Sequence, residues 1–204
     1  MYLARRARQV FRGMLQTYGT ERMKRSLWNT EFAGGRWNCL DSTADDYIYP
    51  IVERYVAGGT ILDLGCGSGS TGNELAPGSF RRYTGVDISD AAIEKAGART
   101  AQNGRSNTNE YFQSDVVRYE PTQSYDVVLF RDSLYYVPRA SVVPMLTRYS
   151  QHLTERGVIV VRMANADEKY GAFVDAIERH FEVVAKERSH QPEALVLVFR
   201  PKRS

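Results

Sequence analysis

From residue 60 onward, short runs of β-branched and aromatic residues alternate with segments of helical spacing. The alternation predicts a parallel sheet whose strands are joined by crossover helices. Strands are expected at 60–64, 83–87, 110–113, 125–130 and 158–162, with helices at about 71–76, 90–101 and 141–153 between them. A further helix, about 169–180, leads to a sixth strand at 181–186, and a seventh at 194–199 follows with no helix between. Parallel neighbours need a connection of roughly a dozen residues or more, so the last strand should run antiparallel to its predecessor.

Ahead of this region, Leu3, Val10, Phe11, Met14 and Leu15 recur at roughly helical spacing among arginines, which predicts an amphipathic helix ending near Gly19. Residues 26–42 mix both tryptophans of the chain with glycines and turn formers, as an irregular lid or capping loop would. Residues 45–56 read as a helix closed by Ala57, Gly58 and Gly59, with Pro50 expected to kink or divide it. The expected division is therefore an N-terminal helical cap over 1–44 and one α/β domain over 45–204. That domain holds a seven-stranded, mostly parallel sheet with an antiparallel last strand and helices on both faces.

Composition narrows the class without changing this picture. Of 204 residues, 43% are apolar and 25% charged, which is ordinary for a globular chain and disfavours disorder or coiled coil. No 18-residue apolar run is present, so no membrane-spanning helix is expected. The basic N-terminus leads into no secretory apolar core, and the expectation is a cytoplasmic protein with no membrane partner. Cys39 and Cys66 lack the spacing of a disulfide framework or a zinc site and read as reduced thiols. The net charge of +3 is uneven: seven Arg and Lys against Glu21 give +6 over residues 1–25, leaving −3 on the rest. A basic arm on a mildly acidic body attracts phosphate, an anionic substrate or nucleic acid, or is simply a solvated helix face.

The most informative segment runs from Ile61 to Gly72. An apolar strand enters glycines at 65, 67 and 69, which permit a sharp turn, positive φ and close approach of backbone N–H groups to a ligand. The loop opens a helix whose N-terminal dipole favours negative charge. The next strand ends at Asp87, 22 residues beyond Gly65, about where a carboxylate takes the two hydroxyls of a ribose. Gly67, Gly69 and Gly72 also match the dinucleotide fingerprint literally, which keeps an NAD-binding oxidoreductase open. That register extends the strand to Cys66 and leaves Asp63 inside it. With Gly65 as the first glycine, Asp63 stands at the strand's end.

In that register the chain resembles the class I S-adenosylmethionine-dependent methyltransferases, whose signature is an acidic residue followed by x-G-x-G-x-G: here Asp63, Gly65, Gly67 and Gly69. The resemblance spans about residues 45–200 and implies a Rossmann-like fold with S-adenosylmethionine as methyl donor and no metal. It implies Asp87 at the ribose, and Ile88, Ser114, Asp115 and Val116 around the adenine. Asp63, Cys66 and Arg131 complete the implied cofactor set. Arg156 and a single Gly157 replace the family's commoner glycine pair before strand five.

Candidate acceptor-side residues follow from position at the carboxyl ends of the strands. Asp132 is a possible proton acceptor or a partner of Arg131, and Tyr135 and Tyr136 follow it toward the methyl pocket. His190, in the final hairpin on the same edge, is a further candidate base; His152 and His180 read as structural. Trp28, Phe32, Arg36 and Trp37, with Arg162 after strand five, are expected to close over the donor and bind substrate. With no separate substrate domain, the expected acceptor is a small molecule, such as a saccharide or secondary metabolite, methylated on oxygen or nitrogen by a monomer or homodimer. The alternatives are an RNA or protein methyltransferase guided by the basic arm, although nucleic acid is disfavoured, and a catalytically silent binding module.

Overall fold

A computed structural model describes residues 2–38, 43, 46–164, 170–190 and 193–202. Seven strands form one sheet in the order β3-β2-β1-β4-β5-β7-β6. They are β1 (Thr60–Leu64), β2 (Arg82–Asp87), β3 (Asn109–Gln113), β4 (Tyr125–Arg131), β5 (Leu153–Ala164), β6 (Phe181–His190) and β7 (Glu193–Pro201). The first five run parallel, and β7 pairs antiparallel with both β5 and β6. The expected hairpin ending is observed. β5 begins earlier than the apolar run because Leu153 already pairs with Tyr125, before a register shift on β4.

Successive residues of the central strands bury on opposite sides. Leu62, Val128, Phe130, Ile159 and Val161 pack with α6 (Arg139–Ser150) and α7 (Gly171–His180). Ile61, Val127, Leu129, Val158 and Val160 pack with α3 (Ile48–Val56). Both faces of β1 are covered, which explains its unbroken apolar run and leaves its single carboxylate, Asp63, deeply buried. The remaining body helices are α4 (Ser70–Glu74) and α5 (Asp90–Gln102).

The N-terminal segment departs from the sequence expectation in three ways. The stretch expected to be an irregular lid begins as helix: α2 (Glu21–Ala33) starts at Thr20, whose hydroxyl accepts from Met23 N at 3.3 Å, and gives way to turns from Gly34. Pro50 does not kink α3; it is the third helical residue, in the first turn, where backbone N–H groups have no intrahelical partner to lose. The amphipathic helix α1 (Tyr2–Tyr18) exists as expected, but its apolar side, Val10, Phe11, Met14 and Tyr18, lies largely in solvent. Its polar side turns inward, with Gln16 buried and Arg12 on Glu31 of α2. Cys39 lies outside the described residues, as do 165–169.

Candidate active site

The carboxyl ends of β1, β2, β4 and β5 open onto one cavity of about 460 Å³, within the range of small-molecule sites. At the end of β1, Asp63 is 1% exposed and accepts from the Tyr83 hydroxyl at 2.5 Å through Oδ2. Its Oδ1 has no partner. Burial raises its carboxyl to about 6, against the Tyr83 hydrogen bond and the Arg131 charge. β1 stops at Leu64, so the strand does not extend to Cys66 as the dinucleotide register requires. The turn begins at Gly65, φ +84, where an added Cβ would stand 2.4 Å from Ser133 Cβ. Gly65 N and Cys66 N both donate to Val86 O. Gly69, φ +76, is the cap of α4 and is closed in by Ala96 and Tyr111.

At the end of β2, Asp87 faces the same cavity. Its two oxygens accept from Gly67 N at 3.0 Å and Ser89 N at 2.9 Å, and burial raises it to about 6. Each carboxylate oxygen keeps further acceptor capacity for a ligand hydroxyl. Ile88 and Val116 are apolar walls. Asp115 lines the cavity too, but Lys24 of α2 holds its Oδ2 at 2.6 Å while Val117 N holds Oδ1 at 2.9 Å. Ser114 is outside the lining; its N–H ties the loop to Asp87 O. Cys66 is a buried wall residue whose thiol burial pushes well up.

After β4, Asp132 adopts φ +55, unusual outside glycine. It does not pair with Arg131. Its oxygens accept from Arg162 and from Ala164 N at 2.9 Å, and burial raises its carboxyl. Arg131 pairs instead with Asp46 at 2.6 Å and donates to the Tyr49 hydroxyl at 3.0 Å. Arg162, 6% exposed, lies against Asp132 and the Tyr47 ring, with its Nε 3.7 Å from Asp46 Oδ1.

The far wall is aromatic. Trp28 meets Trp37 at 5.8 Å and Tyr136 edge-on at 4.9 Å, while Tyr135 stacks on Tyr170 at 4.4 Å. Phe32 leans toward the glycine turn, 3.4 Å from where a Cβ on Gly67 would be. Two expected participants stand apart. Arg36 is exposed and points to Glu31, 3.9 Å away, outside the cavity lining. His190 ends β6, the outermost strand, with β7 between it and β5. Sequence reasoning missed Gln16, Lys24 and Asp46, which the fold brings to the cavity from segments carrying no motif.

Residues 62–159 match the family model described as a methyltransferase domain. Over that span the chain is similar to methyltransferase domains. Among relatives, it is 27% identical over 152 residues to the ubiquinone biosynthesis O-methyltransferase of Rickettsia canadensis, covering 73% of this chain and 62% of that protein. It is 34% identical over 119 residues to a putative methyltransferase of Geobacillus sp. strain WCH70, covering 57% and 47%. The chain thus spans less than two thirds of the curated relatives' length. Among solved structures, the N-methyltransferase NodS of Bradyrhizobium japonicum WM9, in complex with S-adenosyl-L-homocysteine, superposes with a TM-score of 0.70 at 18% identity, covering 88% of this chain and 98% of that one. The methyltransferase sheet order and its antiparallel last strand are those described above. Among the described residues, no helix is long and apolar enough to cross a membrane.

Proposed function

We propose that the chain transfers a methyl group from S-adenosylmethionine to an oxygen or nitrogen of a small molecule. One observation carries this reading: a single cavity joins the glycine turn, Asp63 and Asp87 to an aromatic-walled compartment. The residues present fit the donor. Asp63 Oδ1, buried and unpartnered, is an acceptor for an ammonium group. Gly65 leaves the space beside Ser133 that a side chain would fill. Asp87 has acceptor capacity for ribose hydroxyls, and Ile88 and Val116 offer apolar faces to a base. When bound, S-adenosylmethionine supplies a methyl group already activated on a sulfonium.

The chain's own part is then mainly to position and to exclude water. Trp28, Phe32 and Trp37 roof the compartment, and we assign residues 1–44 the role of its cap. α2 is fixed to the body by Lys24 on Asp115, Arg25 on Asp90 at 2.5 Å and Asn29 on Ser89 at 2.8 Å. A compartment roofed in this way favours a small acceptor over a polymer. The relatives' named activities, on oxygen in ubiquinone biosynthesis and on nitrogen for NodS, support the reading without choosing the atom.

Calorimetry with S-adenosylhomocysteine tests it. Binding is expected, and Asp87→Ala should weaken it at least tenfold, or roughly 1.4 kcal/mol. Unchanged affinity in a folded variant would refute the ribose contact, and no binding to the parent protein would refute the function.

A further inference from the structure

The acceptor end of the cavity carries a free side-chain donor. Gln16 is 4% exposed and its Nε2 has no partner. Arg162 is buried as well, its Nε facing Asp46 Oδ1 at 3.7 Å. α1 packs on the turn Leu134–Tyr136, and Gln16 lines the cavity together with Trp28 and Tyr136, while Arg162 approaches from β5 beside Asp132. The lining carboxylates are occupied, Asp63 excepted. Asp46 is held by Arg131 and Ile48 N, Asp87 by two backbone N–H groups, Asp115 by Lys24 and Val117 N, and Asp132 by Arg162 and Ala164 N. The free oxygen of Asp63 sits at the glycine turn, where the donor's ammonium is assigned. Tyr135 and Tyr136 stay protonated, since burial pushes both phenols up, Tyr136 to about 12. Among the described lining residues there is no histidine.

A wall with a waiting donor and no idle base suits an acceptor that has already lost its proton. Its aromatic surface suits a planar ring. Resting on the methyltransferase reading above, we propose that the acceptor is an aromatic carboxylate, its oxyanion received by Gln16 and its ring lying against Trp28 and Tyr136, and that the product is its methyl ester. One carboxylate oxygen forms the new O–CH3 bond. The methyl–sulfur bond breaks with its electron pair passing to sulfur, so the sulfonium and carboxylate charges cancel and no proton moves. Gln16 is thereby a specificity residue, since a buried amide donor left unpaired penalises any acceptor without an oxygen to offer.

The two tryptophans of the chain, Trp28 and Trp37, both line this compartment, so their fluorescence reports acceptor binding without turnover. The full chain, saturated with S-adenosylhomocysteine, is titrated with benzoate, cinnamate and indole-3-carboxylate, and with phenols and aryl amines of matching size. Carboxylates should quench at least tenfold more tightly than the matched phenols and amines. Gln16→Ala should weaken carboxylates at least tenfold, and the near-isosteric Gln16→Glu, which adds a like charge, should weaken them further. With labelled S-adenosylmethionine, the product's label should be released as volatile methanol by mild alkali. Alkali-stable products from phenols or amines alone, or carboxylate affinity indifferent to both Gln16 variants, would overturn the proposal while leaving the methyltransferase reading intact. Failure to bind S-adenosylhomocysteine would overturn both.

Discussion

Binding of the nucleoside should release protons, because the two carboxylates that receive it are held back from ionising in the free protein. Asp63 and Asp87 are each raised from 3.8 to about 6, burial being the largest cause for both, and each raises the other's cost of ionising through their like charges. At pH 6 each is about half protonated, and at pH 7 about one tenth. A bound ammonium at Asp63 and ribose hydroxyls at Asp87 both favour the charged forms. Proton release should therefore approach about one per site occupied at pH 6 and fall to about 0.2 at pH 7. Calorimetry with S-adenosylhomocysteine in phosphate and in a buffer of large ionisation enthalpy measures it directly, the slope of apparent enthalpy giving the proton count. Affinity should rise with pH through 6 and level off above 7. The stability of the free protein should follow the opposite trend. A carboxyl whose folded value exceeds its unfolded one contributes most stability below the unfolded value and loses it as pH rises through the folded one. A move from 3.8 to about 6 corresponds to ~3 kcal/mol per group, lost between about pH 4 and 6. Buffer-independent enthalpies at pH 6, or affinity that climbs as pH falls, would refute the assignment of both residues to the ligand.

Gly65→Ala combines a left-handed φ of +84 with a Cβ placed 2.4 Å from that of Ser133. The conformation alone costs about 1–2 kcal/mol. Thermal melting should show a loss of at least ~2 kcal/mol, a fall of roughly 4–8 °C at this size, and a melting point within 1 °C or so of the parent's would contradict the turn geometry. Lys24→Met removes the partner of Asp115 in a pair whose side chains are 13% and 8% exposed, so urea unfolding should register about 2–3 kcal/mol. The same change unfastens α2 from the body, and stopped-flow displacement of S-adenosylhomocysteine should show a several-fold faster off-rate; an unchanged rate would separate α2 from ligand retention.

The sheet was legible because its information is local. Alternate residues of 60–64, 125–131 and 158–163 bury on opposite faces, both of them covered, so each strand announces itself as an apolar run. The glycine turn was legible for a similar reason: Gly65 and Gly69 have positive φ and crowded surroundings, and the chain has few residues that satisfy both. The polar network behind the site was not. Arg131 finds Asp46 across 85 positions and Lys24 finds Asp115 across 91, and nothing in either neighbourhood names the partner. Adjacency suggested Asp132 with Arg131, whereas β4 sends Arg131 toward α3, and the positive φ at Asp132 turns its carboxylate back to Arg162 on β5.

In the N-terminal segment α2 was hard to read for a different reason, and that reason bears on the role proposed for it. A helix is recognised when its inward positions are apolar, and in α2 the inward positions are Lys24, Trp28, Glu31 and Phe32. Their spacing of four, three and one is helical. The chemistry at those positions is mixed because they face a cavity, a carboxylate and a neighbouring helix in place of a uniform core. α1 goes further, with Arg12 and Gln16 turned inward while Val10, Phe11, Met14 and Tyr18 lie outward. Helices whose buried faces carry hydrogen-bonding groups contribute less to folding than apolar ones would, and unsatisfied groups such as Gln16 Nε2 cost stability outright. Those costs are recovered only when something occupies the cavity. Acceptor and nucleoside together should therefore stabilise α1 and α2 against hydrogen exchange far more than they stabilise the sheet, and equal protection of cap and sheet would show that these inward polar positions serve the fold alone.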